Sequence, residues 1–246
     1  MTYNPDRLVL TPPRLARILM ITLSAVFVMH SLTLMVAHGL GYPVALGFVP
    51  LFHVDFEHNV PTFLAFVLWI SSALASAWMA AREPARSRHR RAWLLLSLLF
   101  LAVAADEVLH IHEQVGEHLF GEFGHLGVPM YAWVIPYSAG VLLVGAFFLR
   151  WFLELDPSLR RLLFLAGTIF LFGAIGLELV ASYHYELLPA EREVYRTLTG
   201  DLLSTVEEAC EFVGVALYLY ALVRHLGGIS IRALDPAATG SEPAAA

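Results

Sequence analysis

The feature that most constrains this chain is a succession of apolar runs, each close to the length that crosses a hydrocarbon layer. Six are readable, over residues 15–38, 60–81, 92–113, 131–152, 161–183 and 203–224. A helix rises about 1.5 Å per residue and the bilayer core is about 30 Å thick, so these runs predict membrane-spanning helices. Hydrophobic residues make up 58% of the chain and the mean hydropathy is +0.68, which excludes an ordinary soluble domain. The expected fold is all-α, a polytopic bundle of six transmembrane helices forming one domain over residues 1–226. Residues 227–246, ending in ATGSEPAAA, read as a disordered cytoplasmic tail. The first run reads as a retained anchor, because its apolar stretch is long and no small-residue cleavage site follows it.

All fifteen basic residues are arginines, and their placement predicts an orientation. Thirteen fall in the N-tail, the 82–91 and 150–161 loops and the C-tail, whereas only Arg192 and Arg196 lie in the opposite loops. By the positive-inside rule both termini are cytoplasmic, as expected of a multi-pass protein of a bacterial inner membrane. Trp78, Trp93 and Trp151 then mark the inner interface, and Tyr131 and Trp133 the outer one. The absence of lysine excludes Schiff-base chemistry. One cysteine, Cys210, excludes thiolate metal sites, iron–sulfur clusters and an intrachain disulfide. No phosphate loop, dinucleotide fingerprint or nucleic-acid-binding patch is present. Membrane lipids and a hydrophobic small molecule are the expected partners.

Against this background the segment DEVLHIHE, residues 106–113, is out of place. Arg91 to Asp106 is fifteen residues, roughly 22 Å of helix, so the third span should still be inside the bilayer there. The same ruler places Glu178 about 25 Å above Arg161, Glu211 and Glu207 about 20 and 25 Å from Arg224, and His30 about 20 Å above Arg17. Four helices thus carry ionisable groups in one layer of the outer half-membrane. An acid at mid-membrane costs about 2.5–3.5 kcal/mol on insertion scales, and no arginine is spaced to compensate. A cation or a set of protons must do so.

Within the third span Asp106, His110, Glu113 and Glu117 follow helical spacing and predict one continuous stripe, and Glu107 with His110 forms a Glu-x-x-His pair. The sixth span offers Ser204, Glu207, Glu208, Glu211 and Tyr218; the fifth offers Glu178 and Ser182. Gly173 and Gly176 predict a close helix approach. The segment FHVDFEHNVPT, residues 52–62, alternates His53, Asp55, Glu57 and Asn59 with Val54, Phe56 and His58, as one polar face of an extended strand would. Asn59 is placed to cap the second span, with Pro61 in its first turn. His30 and His38, taken singly, read as core or interface histidines.

Carboxylates with a few imidazoles suit iron, manganese or zinc. The expected metal ligands are Asp106, Glu107, His110, Glu113, Glu178, Glu208 and Glu211. Glu207 and Asp106 are the candidate catalytic acids or bases, and His53, Asp55, Glu57, His58, His112, Ser182 and Ser204 form the rim. An alternative is a set of protonated acids hydrogen-bonded to one another and to the histidines.

The Asp55-x-Glu57-x-Asn59-x-Pro61-Thr62 stretch followed by Asp106-Glu107-x-x-x-x-His112-Glu113 resembles a group of uncharacterised bacterial six-span proteins, a resemblance carried mainly by residues 50–115. It brings no known activity. Metal-dependent membrane hydrolases of the ceramidase and adiponectin-receptor type are less similar, since their late His-x-x-x-His pair is absent here.

The expected function is a metal-dependent membrane enzyme, oxidative with two metals or hydrolytic, acting on a lipid or hydrophobic substrate. The alternatives are a cation- or proton-coupled transporter or channel and a non-catalytic metal or pH sensor.

Overall fold

The computed structural model describes residues 7–124, 133–186 and 197–232. A short strand β1 (Arg7–Leu10) leads into α1 (Pro12–Leu34), which continues as a π-helical segment over Met35–Gly39. A 3₁₀ turn and the short α2 (Phe48–Phe52) precede α3 (Val60–Arg82) and α4 (Arg88–Leu109). Next come α5 (Ile111–Phe123), α6 (Val134–Glu154) and α7 (Pro157–Leu171). The last of these continues through a second π-helical segment, Phe172–Leu177, into α8 (Glu178–Glu186). The chain ends its described course with α9 (Leu198–His225) and strand β2 (Ile229–Arg232).

Local chemistry starts these helices, and at α3 it does so where the sequence predicts. Asn59 Oδ1 accepts the Thr62 amide at 3.0 Å, and Pro61 sits in the first turn of α3. Ser87 caps α4 through His89 and Arg90, Asp156 caps α7 through Ser158 and Leu159, and Thr197 caps α9 through Gly200. The 52–59 segment, expected as an extended strand, is instead a series of turns. His58 adopts φ 56°, and Asn59 Nδ2 ties the segment down by donating to the carbonyls of Pro50 and His53.

Five helices are long and apolar enough to cross a membrane: Pro12–Gly39, Val60–Arg82, Arg88–Leu109, Val134–Leu153 and Pro157–His184. The protein is a multi-pass helical membrane protein. The sixth expected span corresponds to α9, 28 residues long, which carries Asp201, Glu207, Glu208 and Glu211 in its first half. This helix packs along α7, α3, α1 and both π-helical segments' neighbours, so it is the central element of the bundle rather than a peripheral one.

Antiparallel pairing of β1 with β2, Arg7 opposite Arg232 and Leu10 opposite Ile229, brings the start of α1 and the end of α9 to one end of the bundle. Ile229–Arg232, which composition assigned to the tail, is therefore part of the folded ribbon; residues 233–246 lie outside the described residues. Glu83, His89, Glu154, Asp156 and His225 border one small cavity at that same end. Arg88 pairs there with Glu154, and Arg150 approaches Glu154 at 3.5 Å. All described arginines belong to this basic end, and Arg192 and Arg196 lie outside the described residues.

The half of the bundle next to the basic end is apolar. Trp93 and Trp151 meet edge to face at 4.8 Å, Trp69 lies 5.6 Å from Phe100, and Leu222 and Val223 of α9 are fully buried. Helix α9 approaches α7 at backbone distance. A Cβ on Gly214 would stand 2.7 Å from Phe170 Cβ, and one on Gly173 would stand 2.8 Å from the Glu207 carbonyl. In a membrane such small-residue contacts supply the packing that hydrophobic exclusion supplies in water. Gly176, expected to share this role, would meet only Phe172 of its own helix.

Candidate functional site

The polar residues gather at the end remote from the arginines. Their arrangement starts with a break in the third span. The stripe expected over Asp106, His110, Glu113 and Glu117 does not form as one helix face, because α4 stops at Leu109 and His110 turns into the left-handed region, φ 50° and ψ 43°. Helix α5 then leaves in a new direction. Two histidines expected on one helix thereby acquire different carboxylate partners.

His112 folds back onto Asp106. Its Nδ1 lies 2.7 Å from Asp106 Oδ2, and its backbone N–H donates to Oδ1 at 3.1 Å. Tyr137 of α6 donates its hydroxyl to the same Oδ1 at 3.0 Å. Burial by itself would lower the His112 imidazole, but the hydrogen bond and charge of Asp106, with Glu113 and Glu211 behind them, raise it above the usual histidine value. Trp133 packs on His112 at 5.0 Å and on Tyr137 at 5.1 Å, and its indole N–H donates to Glu178 Oε1 at 3.0 Å.

His110 reaches Glu57 instead, Nε2 to Oε2 at 2.6 Å, and its ring meets that of His58 edge to face. Burial lifts the Glu57 carboxyl above its usual range, His110 pulls it down, and Glu113 adds to the lift.

Below this rim lies the carboxylate layer. Glu107 interacts electrostatically with Glu57, His112, Asp106 and Glu113. Glu208 senses Glu211, Glu107, Asp55 and Glu57, and Glu211 senses Glu107, Glu178 and His112. Glu207 of α9 and Glu178 of α8 lie next to each other in the layer, where two carboxyls can share a hydrogen bond only if one of them carries a proton. Ser182 and Ser204 are buried beside the layer, and Ser182 Oγ has no hydrogen-bond partner among the described residues. Among the described residues no three His, Cys, Asp or Glu side chains stand close enough to hold a metal ion as they are placed. The layer is a set of coupled pairs, brought together by four helices and one loop.

The profile of a domain of unknown function, DUF8692, matches residues 18–225. The chain belongs to the DUF8692 family. No curated protein and no solved structure matches it. An uncharacterised family is what the paired motifs predict at this level. The DUF8692 match spans every described polar residue from His30 to Glu211.

This DUF8692 chain also holds a buried group that the sequence reading missed. Asp201, only 2% exposed, places Oδ2 2.6 Å from His38 Nε2 and 3.6 Å from His53 Nε2. His30, fully buried, bonds Thr205 Oγ1 through Nε2 at 2.8 Å, and Thr205 donates onward to the Asp201 carbonyl. The amides of Val54 and Asp55 donate to His30 Nδ1 and His53 Nδ1, so in the neutral rings the proton sits on each Nε2. His30 and His38, which read singly as core or interface histidines, thus form one network with His53 and α9. The available signal was spacing: Asp201 lies two helical turns before Glu208, on the same side of α9.

Proposed function

We propose that this is a six-span membrane protein, α9 being the sixth span, whose carboxylate–histidine layer is a divalent-metal-dependent active site. Its substrate is a lipid or other hydrophobic molecule, its home a bacterial inner membrane, and both termini are cytoplasmic. The observation that carries the reading is the gathering of Glu57, Glu107, Glu113, Glu178, Glu207, Glu208 and Glu211 within electrostatic range of one another beside His110 and His112, with the described arginines at the far end. So many buried acids call for a positive partner.

Asp106 supports the reading in a different role from the one its sequence suggests. Its oxygens accept three hydrogen bonds, so it is suited to orienting His112 rather than to binding metal or taking a proton itself. A carboxylate on Nδ1 leaves Nε2 as the donor atom, the arrangement that metal-binding histidines use. His112, with Glu107, Glu178, Glu208 and Glu211, would hold the ion. Binding would require the glutamate side chains to rotate toward one another, their helices already placing the acids within electrostatic range. Metal binding at Glu178 would displace any proton that it shares with Glu207, leaving Glu207 a free carboxylate able to act as general base. His110 and Glu57 would guard the mouth. A bound ion would supply either Lewis acidity toward water or, if redox-active, activation of dioxygen.

A second reading is favoured by the Glu207–Glu178 contact, which a shared proton satisfies without metal. The two are separated by elemental analysis and an absorption spectrum of protein purified in detergent without chelator. Stoichiometric iron, manganese or zinc supports the metal centre. Metal-free protein that does not retain added ions sinks it and leaves the protonated layer.

A further inference from the structure

We infer that the basic end carries a binding site for the phosphate of an anionic lipid headgroup, formed by Arg161 and Arg224. The two arginines come from different helices, α7 and α9, and line one open surface recess together with Asp156, Pro157, Ser158 and Leu162. Neither guanidinium has a carboxylate, carbonyl or aromatic partner among the described residues. Several other arginines of this end are engaged: Arg88 and Arg150 are taken up by Glu154, Arg160 donates to the Leu153 carbonyl at 2.5 Å, and Arg82 lies 6.0 Å from the Trp78 ring.

The one acid in the wall does not neutralise the pair. Asp156 Oδ1 accepts the amides of Ser158 at 2.9 Å and Leu159 at 3.2 Å, so its charge is committed to the start of α7. The helix terminus is therefore already capped, and the site rests on the arginines. Two guanidiniums offer forked donors that match phosphate oxygens. The Ser158 hydroxyl adds a neutral donor. Arg161 stands four residues into a membrane-length helix and Arg224 at the last turn of α9, the depth of the headgroup region. Leu162, in the same wall, gives the glycerol and upper acyl carbons an apolar side. Basic recesses between helices at the cytoplasmic face are suited to such headgroups. The inference does not depend on the metal reading, because it concerns the opposite end of the bundle.

The test uses the full chain in detergent, titrated with short-chain phosphatidylglycerol, short-chain phosphatidylcholine or inorganic phosphate, with bound ligand counted by native mass spectrometry. Phosphatidylglycerol should bind at least about tenfold more tightly than phosphatidylcholine, and Arg161→Ala and Arg224→Ala should each remove about tenfold of its affinity. Arg86→Ala, an exposed arginine outside the recess, should leave it unchanged. Because each variant is compared across two lipids, a general loss of folding cannot imitate the pattern. Equal binding of the two lipids, or an equal loss in Arg86→Ala, overturns the site. Inorganic phosphate that matches phosphatidylglycerol overturns the lipid assignment.

Discussion

His58 and His110 both hold left-handed backbone conformations, φ 56° and 50°, and their rings meet edge to face with centroids 4.7 Å apart. For an L-residue that conformation costs roughly 1–2 kcal/mol. One of the two would be an ordinary turn. Two in contact, each breaking the chain beside the carboxylate layer, mean that the fold accepts strain to bring a loop and a helix end together there.

If that strain is carried for the site, relieving it should not unfold the protein. His110→Gly should change unfolding free energy by no more than about 1 kcal/mol, since glycine adopts positive φ freely but adds chain entropy. His110→Val, β-branched at the same φ, should destabilise by roughly 1–3 kcal/mol. Thermal unfolding in a single detergent compares the two. Equal losses would show that the left-handed turn at His110 is not a constraint.

The Asp106 pair makes a separate prediction. Asp106→Asn keeps the shape but replaces an acceptor oxygen with a donor facing His112 Nδ1, so the ring loses its tautomer control. Metal affinity should fall about 10–100-fold, and Tyr137→Phe should lower it less, because Asp106 keeps both bonds to His112. Glu122→Ala, exposed on α5, should leave it unchanged. Isothermal titration with zinc or manganese measures all three, and indistinguishable affinities would remove Asp106 from the site.

How much of this was legible beforehand divides along a physical line. Five of the six expected spans correspond within a few residues to helices long and apolar enough to cross a membrane, and the cap at Asn59 with Pro61 was readable too, because those signals are local. The break at His110 was not. Nothing in DEVLHIHE forbids helix, and only the competing partners of His110 and His112, one on a distant loop, favour the left-handed turn. Asp201 was missed for the same reason, since its histidines come from the π-helical segment after α1 and from the 53–59 turns, far away in sequence. Local signals were readable; long-range partnership was not.

The raised His112 value predicts a pH dependence. A folded-state pKa above the unfolded value of 6.5 means that the native state binds the extra proton more tightly. The resulting stability is fully present below pH 6.5 and is lost as pH rises through the folded value. In chelator-treated protein, the unfolding midpoint should therefore fall as pH is raised across that window. Asp106→Asn should flatten the fall. A midpoint that rises with pH in the parent, or an unaltered slope in Asp106→Asn, would contradict the pairing.

The contact between α7 and α9 predicts an asymmetry among glycines. A methyl at Gly173 would meet the Glu207 carbonyl at 2.8 Å and Cys210 Cβ at 2.9 Å, and one at Gly214 would meet Phe170 backbone atoms at 2.9 Å. Gly173→Ala and Gly214→Ala should each destabilise by about 1–3 kcal/mol. Gly140→Ala meets nothing within 4 Å and replaces a poor helix former, so it should be neutral or stabilising by up to about 1 kcal/mol. Similar melting shifts at all three positions would refute the close approach.

The apolar half of the bundle separates an enzyme from a conducting protein. Beneath the acids, the Ser76 and Tyr218 hydroxyls bond each other at 2.7 Å, Ser76 also donates to the Ser72 carbonyl, and Ser97 donates to the Ala73 carbonyl. These hydroxyls are spent within α3 and on its contacts with α4 and α9, and the Trp93–Trp151 contact and buried Leu222 and Val223 lie beyond them. Thr168 is exposed on α7 and takes no part in them. Ser76→Ala alone would strand the Tyr218 hydroxyl at a cost of about 1–3 kcal/mol, whereas Ser76→Ala with Tyr218→Phe removes both partners and should be nearly neutral. Proteoliposomes holding the parent should show no proton flux under an imposed gradient, and the double variant should match it with unchanged metal content. Flux in the parent that disappears in the double variant would mean that protons cross between α3 and α9, and that the carboxylate layer is the entrance to a pathway rather than an active site.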